Sequence, residues 1–344
     1  MAFGMTSRDQ DRYVVELRDV KKFYPVRQTV FSAQNRGKWL KAVNGVDLRL
    51  KQGESLGIAG ESGCGKSTMG RLLLKLTDST QGQYLFNGED VTKLRSKEEL
   101  LEFRRQAQLV FQNPFEALNP RFTVQRSIME PLTIHGIGSS KEERIELVTQ
   151  ALQEVNLQPA RSFLEKYPHQ MSGGQLQRVV LARALVLKPI FLVADEPVSM
   201  LDVSVRAGIL NLMKEISQKM QLTTVYISHD LSLLQYLCDH TIIMYLGQIV
   251  EYGKTETILK RPLHPYSQAL VAAIPTLNGA KRQGEILLGN HVPSPIDLPE
   301  GCLLQGRCPH VTEGCRGSEQ VLTDVGGGHL VRCALVKVKG GKAG

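Results

Sequence analysis

Apolar positions along the chain change their spacing several times, and those changes divide it. Through the first sixty residues they come in short runs: "VVELRDV", "AVNGVDLRL" and "ESLGIAG" read as strands separated by turns. Between the first two, Gln28 to Lys41 is polar and glycine-containing, which predicts a long hairpin tip. A helix is expected from Gly65 or Lys66 to about Leu76, with Leu72, Leu73 and Leu76 on its apolar side. "AQLVFQNP" reads as a buried strand ended by Pro114.

From Glu116 to Leu185 the spacing becomes helical. In "KEERIELVTQALQEV" the apolar residues Ile145, Val148, Leu152 and Val155 share one face. "PIFLVADEP" is a short apolar strand between prolines. "VSVRAGILNLMKEISQKM" is helical again through Val205, Ile209, Leu212, Ile216 and Met220. "TTVYISHD" is a strand, and "TIIMYLGQIVEYG" a hairpin turning at Gly247. Strands alternating with helices predict an α/β fold on a parallel sheet. After "RPLHPYSQAL" the pattern weakens and prolines accumulate at Pro293, Pro295 and Pro299. A boundary is therefore placed near 261: a main domain over 1–261, with a helical part at about 116–185, and a small cysteine-rich appendage over 262–344.

The bulk numbers narrow the class. A chain of 344 residues, 42% hydrophobic, suits one large domain plus an appendage. Arg183, Lys188 and Asp195 interrupt the apolar stretches, and none reaches the roughly 18 residues of a membrane span. "MAFGMTSRDQ" lacks an apolar signal core, so a soluble cytoplasmic protein is expected. The net charge of +8 is scattered. A solvated basic surface is the preferred reading, then contact with an acidic membrane face. Nucleic-acid binding is disfavoured, since no aromatics interleave a basic stripe.

"GESGCGKST" answers to chemistry. Gly60, Gly65, Lys66 and Ser67 match G-x-x-x-x-G-K-[ST] with a strand before and a helix after. Such a loop points backbone N–H groups inward at a helix N-terminus, where phosphates bind. The stretch Gly60, Glu61, Ser62, Gly63, Cys64, Gly65, Lys66, Ser67 and Thr68 is expected to hold a nucleotide, Lys66 reaching the β and γ phosphates and Ser67 ligating Mg²⁺. "FLVADE" ends a strand in Asp195, a candidate Mg²⁺ ligand, and Glu196, a candidate general base. "MSGGQ" offers a second anion-binding helix start at Ser172, Gly173, Gly174 and Gln175. Two such sites make sense if two chains, head to tail, cap each other's nucleotide.

With these motifs in this order, residues 13 to about 260 resemble the ATP-binding subunits of ABC transporters. The resemblance implies an ABC-type P-loop fold, with a RecA-like core plus antiparallel β and helical subdomains, and binding of ATP with Mg²⁺. It makes Tyr24 the aromatic that stacks on adenine, with Phe23 as alternative. Gln112 becomes the Mg²⁺- and water-sensing glutamine, Asp202 part of the loop crossing the dimer seam, and His229 the γ-phosphate switch. "FQNPFEALNPR", "DEPVSMLDVSVRAGILNLM" and "RPLHPYSQAL" narrow the resemblance to importers of oligopeptides, dipeptides and nickel, F-type subunit. This implies a second, non-identical ATPase, two transmembrane permeases and an extracytoplasmic binding protein, with the chain on the cytoplasmic face of the inner membrane. A soluble, non-transport ABC ATPase is the alternative; nickel and oligosaccharide are alternative cargoes.

Four cysteines fall late: Cys302-x5-Cys308-x6-Cys315-x17-Cys333. The loose spacing and the resemblance favour a [4Fe–4S] cluster, with zinc or no metal as alternatives. Cys238 reads as a core residue in a helix. Cys64 is either a reactive thiol or a small residue that fits its loop.

Overall fold

Strands and helices alternate through the computed structural model, which describes residues 13–26, 38–274, 288 and 293–336. The first half runs β1 (Tyr13–Pro25), β2 (Trp39–Lys51), β3 (Ser55–Ala59), α1 (Lys66–Leu73), β4 (Gln81–Phe86), β5 (Glu89–Asp90), α2 (Lys97–Gln106), β6 (Ala107–Val110), α3 (Pro114–Ala117), α4 (Val124–Ile134) and α5 (Lys141–Glu154). There follow α6 (Gly173–Leu185), β7 (Phe191–Asp195), α7 (Val203–Met220), β8 (Thr223–Ile227), α8 (Leu231–Leu237), β9 (His240–Tyr245), β10 (Gln248–Lys254), α9 (Thr255–Lys260), α10 (Pro265–Ala272), α11 (Gly314–Gly317), β11 (Thr323–Asp324) and β12 (Leu330–Val331). Most of the expected hairpin tip, up to residue 37, lies outside the described residues; Trp39 to Lys41 open β2.

The chain forms two compact bodies. One comprises Met1–Val14, Leu50–Glu54 and Lys93–Val225; the other Val15–Arg49, Ser55–Thr92 and Tyr226–Gly344. This division differs from the expected boundary near 261: residues before and after that point belong to the same body.

In the first body β6 and β7 are parallel neighbours, Ala107 opposite Phe191 and Val110 opposite Ala194. Phe191 to Ala194 are all buried, which is why this strand is uniformly apolar rather than alternating. Helices α4, α5 and α6 pack on one another. In α5 the expected stripe is buried at Val148 and Leu152 and continues to Val155, while Ile145 is only half-buried. "AQLVFQNP" departs from expectation. Its strand stops at Val110, Phe111 is 46% exposed, and Pro114 starts α3 instead.

In the second body β1, β2, β4 and β5 make one sheet in the order β2-β1-β4-β5. A further sheet carries β11-β12-β10-β9-β3 in that order, with β3 and β9 parallel and β10 antiparallel to both β9 and β12. Helix α1 ends at Leu73, earlier than its spacing predicts. Lys75 takes a left-handed φ of 51°, so Leu76 leaves the apolar side and is 53% exposed. Cys238 is buried as expected but caps α8 in extended backbone rather than lying inside it.

The expected appendage is not separate from this sheet. Glu251 and Tyr252 of β10 pair with Val331 and Leu330 of β12, and Arg332 N–H donates to Val250 C=O at 2.9 Å. Two-residue strands leave no periodicity, so the sequence hides this. Completely buried Glu251 braces the junction: it accepts from the N–H groups of Leu263 and His264, each at 2.9 Å, and lies 2.7 Å from His329 Nε2. His264 Nδ1 in turn accepts from Tyr266 N–H at 3.1 Å, capping α10.

Burial drives the His264 pKa down to about 4. The neutral ring is the folded form, so its stabilisation is complete above the ordinary value near 6.5 and is lost as pH falls toward 4. About 3 kcal/mol is involved. Denaturant unfolding between pH 7.5 and 4.5 should show this decline, and His264→Asn, which keeps a cap acceptor, should show a shallower one.

Candidate functional site

Strand β3 delivers the chain into the glycine loop, and Gly65 turns it into α1. Gly65 has φ +111°, and a Cβ there would lie 2.2 Å from the Ala42 carbonyl oxygen, so only glycine fits. Lys66, 9% exposed, donates from Nζ to the loop's own carbonyls, Gly60 O at 2.7 Å and Glu61 O at 2.9 Å. That places one cation at the centre of the loop. Ser67 and Thr68 follow in the first turn of α1, whose N–H groups face the loop end. Cys64 is 5% exposed, and burial pushes its thiol up. It behaves as the small residue that fills the loop, not as a reactive thiolate.

Two more expected residues belong to this body. Ser228 N–H donates to Ile58 C=O at 3.1 Å, so exposed His229 leaves its strand beside the end of β3, where the glycine loop begins. Tyr24 lies at the end of β1, half-buried, with Lys22 Nζ 4.9 Å from its ring centre. Phe23 N–H is anchored instead on Thr80 Oγ1 at 3.0 Å.

The first body gathers the others. The parallel register matching Val110 with Ala194 puts Gln112 and Glu196 both two residues past the last pair, on one sheet edge, with Asp195 between strand and turn. Glu196 has a left-handed φ of 45°, and its carbonyl accepts from Ser199 N–H at 3.2 Å and Ser199 Oγ at 3.1 Å. Strain of this kind, held by neighbours, is a mark of functional edges.

The "MSGGQ" start of α6 is a capping box. Gln175 N–H donates to Ser172 Oγ at 3.3 Å, and Ser172 N–H donates to Gln175 Oε1 at 3.1 Å. Gly174 lets α7 approach: a Cβ there would sit 2.5 Å from Val205 Cγ1. Asp202 begins α7, and Arg206 steadies the preceding turn by donating to Leu201 O at 2.8 Å. Beside them Met200 is 61% and Val203 80% exposed.

The four late cysteines all lie in the second body. Cys302 N–H donates to Cys315 C=O at 2.7 Å, and Cys308 N–H to Leu304 C=O at 2.9 Å. Burial first, then the charge of the neighbouring thiols, pushes Cys302, Cys308 and Cys333 upward. None is in a disulfide. Among the described residues no three His, Cys, Asp or Glu side chains lie close enough to hold a single metal ion. Neither the expected [4Fe–4S] cluster nor a zinc site is therefore shown among the described residues.

With the loop, the acidic strand end and the second helix start in place, comparison with known proteins becomes decisive. The ABC transporter family matches residues 43–199, and the oligopeptide/dipeptide transporter C-terminal region matches 250–315. The oligopeptide transport ATP-binding protein AppF of Bacillus subtilis (strain 168) is 43% identical over 96% of this chain and 99% of its own length. The chain belongs to the ABC transporter ATP-binding family. The dipeptide transport ATP-binding protein DppF of Haemophilus influenzae is likewise 43% identical, over 91% of this chain and 94% of its own. Among solved structures, the ATP-binding cassette MJ0796, dimeric in a post-hydrolysis state with ADP and Pi, matches with TM-score 0.61 and 30% identity. That match covers 70% of this chain and 98% of the cassette.

This ABC ATPase therefore hydrolyses ATP, and no helix among its described residues is long and apolar enough to cross a membrane. Sequence reading missed the residues that hold the machinery in place: Arg206 on the turn before α7, Tyr266 and Arg307 on the glycine loop. "RPLHPYSQAL" stood out as a string, but nothing in its spacing tells what its tyrosine touches.

Lys66→Ala should weaken binding of a non-hydrolysable ATP analogue on the order of a hundredfold, the value of a charge-assisted contact to phosphate. Equilibrium titration of the purified chain measures it, and unchanged affinity would remove Lys66 from the phosphates.

Proposed function

We propose that this chain is one of two non-identical ATPase subunits driving import of di- or oligopeptides. The observation that carries the reading is the 250–315 match to the oligopeptide/dipeptide transporter C-terminal region, joined to a full ATPase motif set. The names of the relatives AppF and DppF support peptides as cargo. ATP is held by the loop from Gly60 to Thr68 and by Tyr24. Ser67, Gln112 and Asp195 would hold Mg²⁺, which when bound would supply positive charge against the β and γ phosphates. Glu196 takes the proton of the attacking water, and His229 contacts the γ-phosphate. Ser172 to Gln175 and Asp202 face the partner ATPase, and the exposed Met200 and Val203 support a seam there.

Two permeases would carry the cargo path, at the cytoplasmic face of the inner membrane, with a binding protein beyond. A groove of about 410 Å³ next to the Gln112 turn supports permease docking; it is lined by Leu109, Phe111, Ala117, Ile134 and Arg183. Phe111 and Ile134 there are 46% and 58% exposed. Cys302, Cys308, Cys315 and Cys333 would hold a [4Fe–4S] cluster that braces their turns; the loose spacing of the four cysteines supports it.

Co-expression with the neighbouring genes tests the whole reading. The complex should hydrolyse ATP far faster than the purified chain, and peptide bound to the binding protein should raise the rate further. Equal activity of chain and complex would overturn the two-subunit reading, and stimulation by nickel or an oligosaccharide instead would overturn the cargo. Anaerobic protein should be brown, with about four irons per chain. A colourless chain with one zinc would replace the cluster.

A further inference from the structure

Glu61, the second residue of the phosphate loop, is clamped on both its backbone and its side chain. Its N–H donates to Tyr266 Oη at 2.7 Å, and Tyr266 is fully buried. Its carboxylate takes a two-pronged ion pair from Arg307: Nη1 to Oε2 at 2.8 Å and Nη2 to Oε1 at 3.0 Å. The Arg307 side chain is only 7% exposed, that of Glu61 31%. Tyr245 packs under both partners, 5.8 Å from the guanidinium and 4.7 Å from the Tyr266 ring. A planar fork meeting a carboxylate in this way is the strongest and most directional form of ion pair.

The two ends of this pair have different neighbourhoods. At one end, the Glu61 carbonyl accepts from Lys66 Nζ at 2.9 Å, so whatever holds Glu61 also sets where the loop's cation stands. At the other end, Arg307 rises from a tight turn bounded by two cysteines. Gln305 N–H donates to Cys302 C=O at 3.0 Å, and the N–H groups of Arg307 and Cys308 both donate to Leu304 C=O, at 2.8 and 2.9 Å. If that turn loosens, the fork is lost. A bare carboxylate is then left beside the place where nucleotide phosphates bind, and it repels them.

We propose that Arg307 is a positioning residue for nucleotide: through Glu61 it sets the phosphate loop, and it makes ATP affinity depend on the order of the cysteine-bearing turn. The inference rests on ATP binding in this loop and not on the identity of any metal.

A double-variant cycle on the full-length chain tests it, reading the affinity of a fluorescent ATP analogue. R307Q should weaken binding about tenfold, within the usual range for coupled sites. R307K, which keeps charge but not the fork, should lose less. E61Q combined with R307Q should lose no more than R307Q alone, because the repelling carboxylate is gone as well. Cys308→Ser should weaken binding in the wild-type background but add nothing to R307Q. Limited proteolysis beyond residue 290 is followed in parallel; E61Q/R307Q bound more tightly than R307Q, with both tails equally cleaved, separates positioning from unfolding. R307Q within twofold of wild type would overturn the proposal, as would losses from Glu61 and Arg307 that simply add.

Discussion

Replacing Glu196 by glutamine is expected to lower ATP turnover about a hundredfold to ten-thousandfold, the contribution of a positioned general base, while leaving ATP bound. The expectation follows from placement. Glu196 stands two residues past the last β6–β7 pair, on the same edge as Gln112, and its backbone is fixed in a left-handed turn by Ser199. Glutamine preserves the volume and the turn, so only the proton acceptor is removed. Phosphate release from the assembled complex and analogue binding by the same preparation must be measured together. More than about a tenth of the wild-type rate would take the base role away from Glu196. Loss of both rate and binding would mean that the turn had collapsed, and the variant would then report on folding rather than on catalysis.

What the sequence disclosed and what it hid divide along a physical line. Features confined to consecutive residues were legible. The glycine loop, "FLVADE" and "MSGGQ" each need a strand end or helix start at fixed offsets, and β3–α1, β7 and α6 supply them. Periodicity located α5 and α7 because each has enough turns for a stripe to repeat. It failed at Leu76, where one left-handed residue ended the helix, and at Phe111, which the strand reading buried and the structure exposes. It failed most in the last eighty residues. There the sheet is entered by two-residue strands, and order comes from single polar links: Glu251 with His329, Arg332 with the β10 backbone, Arg307 with Glu61. Glu61 and Arg307 are 246 positions apart, and no local spacing encodes such a pair. The cysteine spacing drew attention to the tail, yet the arginine beside Cys308 carries its best-defined tie to the phosphate loop.

Gly65→Ala is expected to damage both the folding of the loop and its hold on nucleotide. Its backbone, at φ +111°, lies where an L side chain is strained, at about 1–3 kcal/mol. The larger cost is steric. The new Cβ would sit 2.2 Å from the Ala42 carbonyl oxygen, and that carbonyl belongs to β2, so it cannot swing aside without disturbing the strand. Nearby backbone bonds tighten the constraint: Gly247 N–H donates to Cys64 C=O at 2.9 Å, and Asn44 N–H to Gly247 C=O at 2.8 Å. The loop must therefore move away from β2, and Lys66, the next residue, moves with it. Both stability and nucleotide affinity should fall, with a melting temperature lower by about 5–10 °C and analogue binding weakened more than by Lys66→Ala. Gly63→Ala is the control. Its φ of +81° is strained as well, but nothing lies within 4 Å of the added methyl. The difference between the two variants isolates the contact with Ala42. If both melt alike, the strain of the turn decides and the clash does not. If Gly65→Ala melts like wild type and still binds the analogue, the loop has a second conformation that accommodates phosphate, and the fit of glycine at this position is not what makes the site.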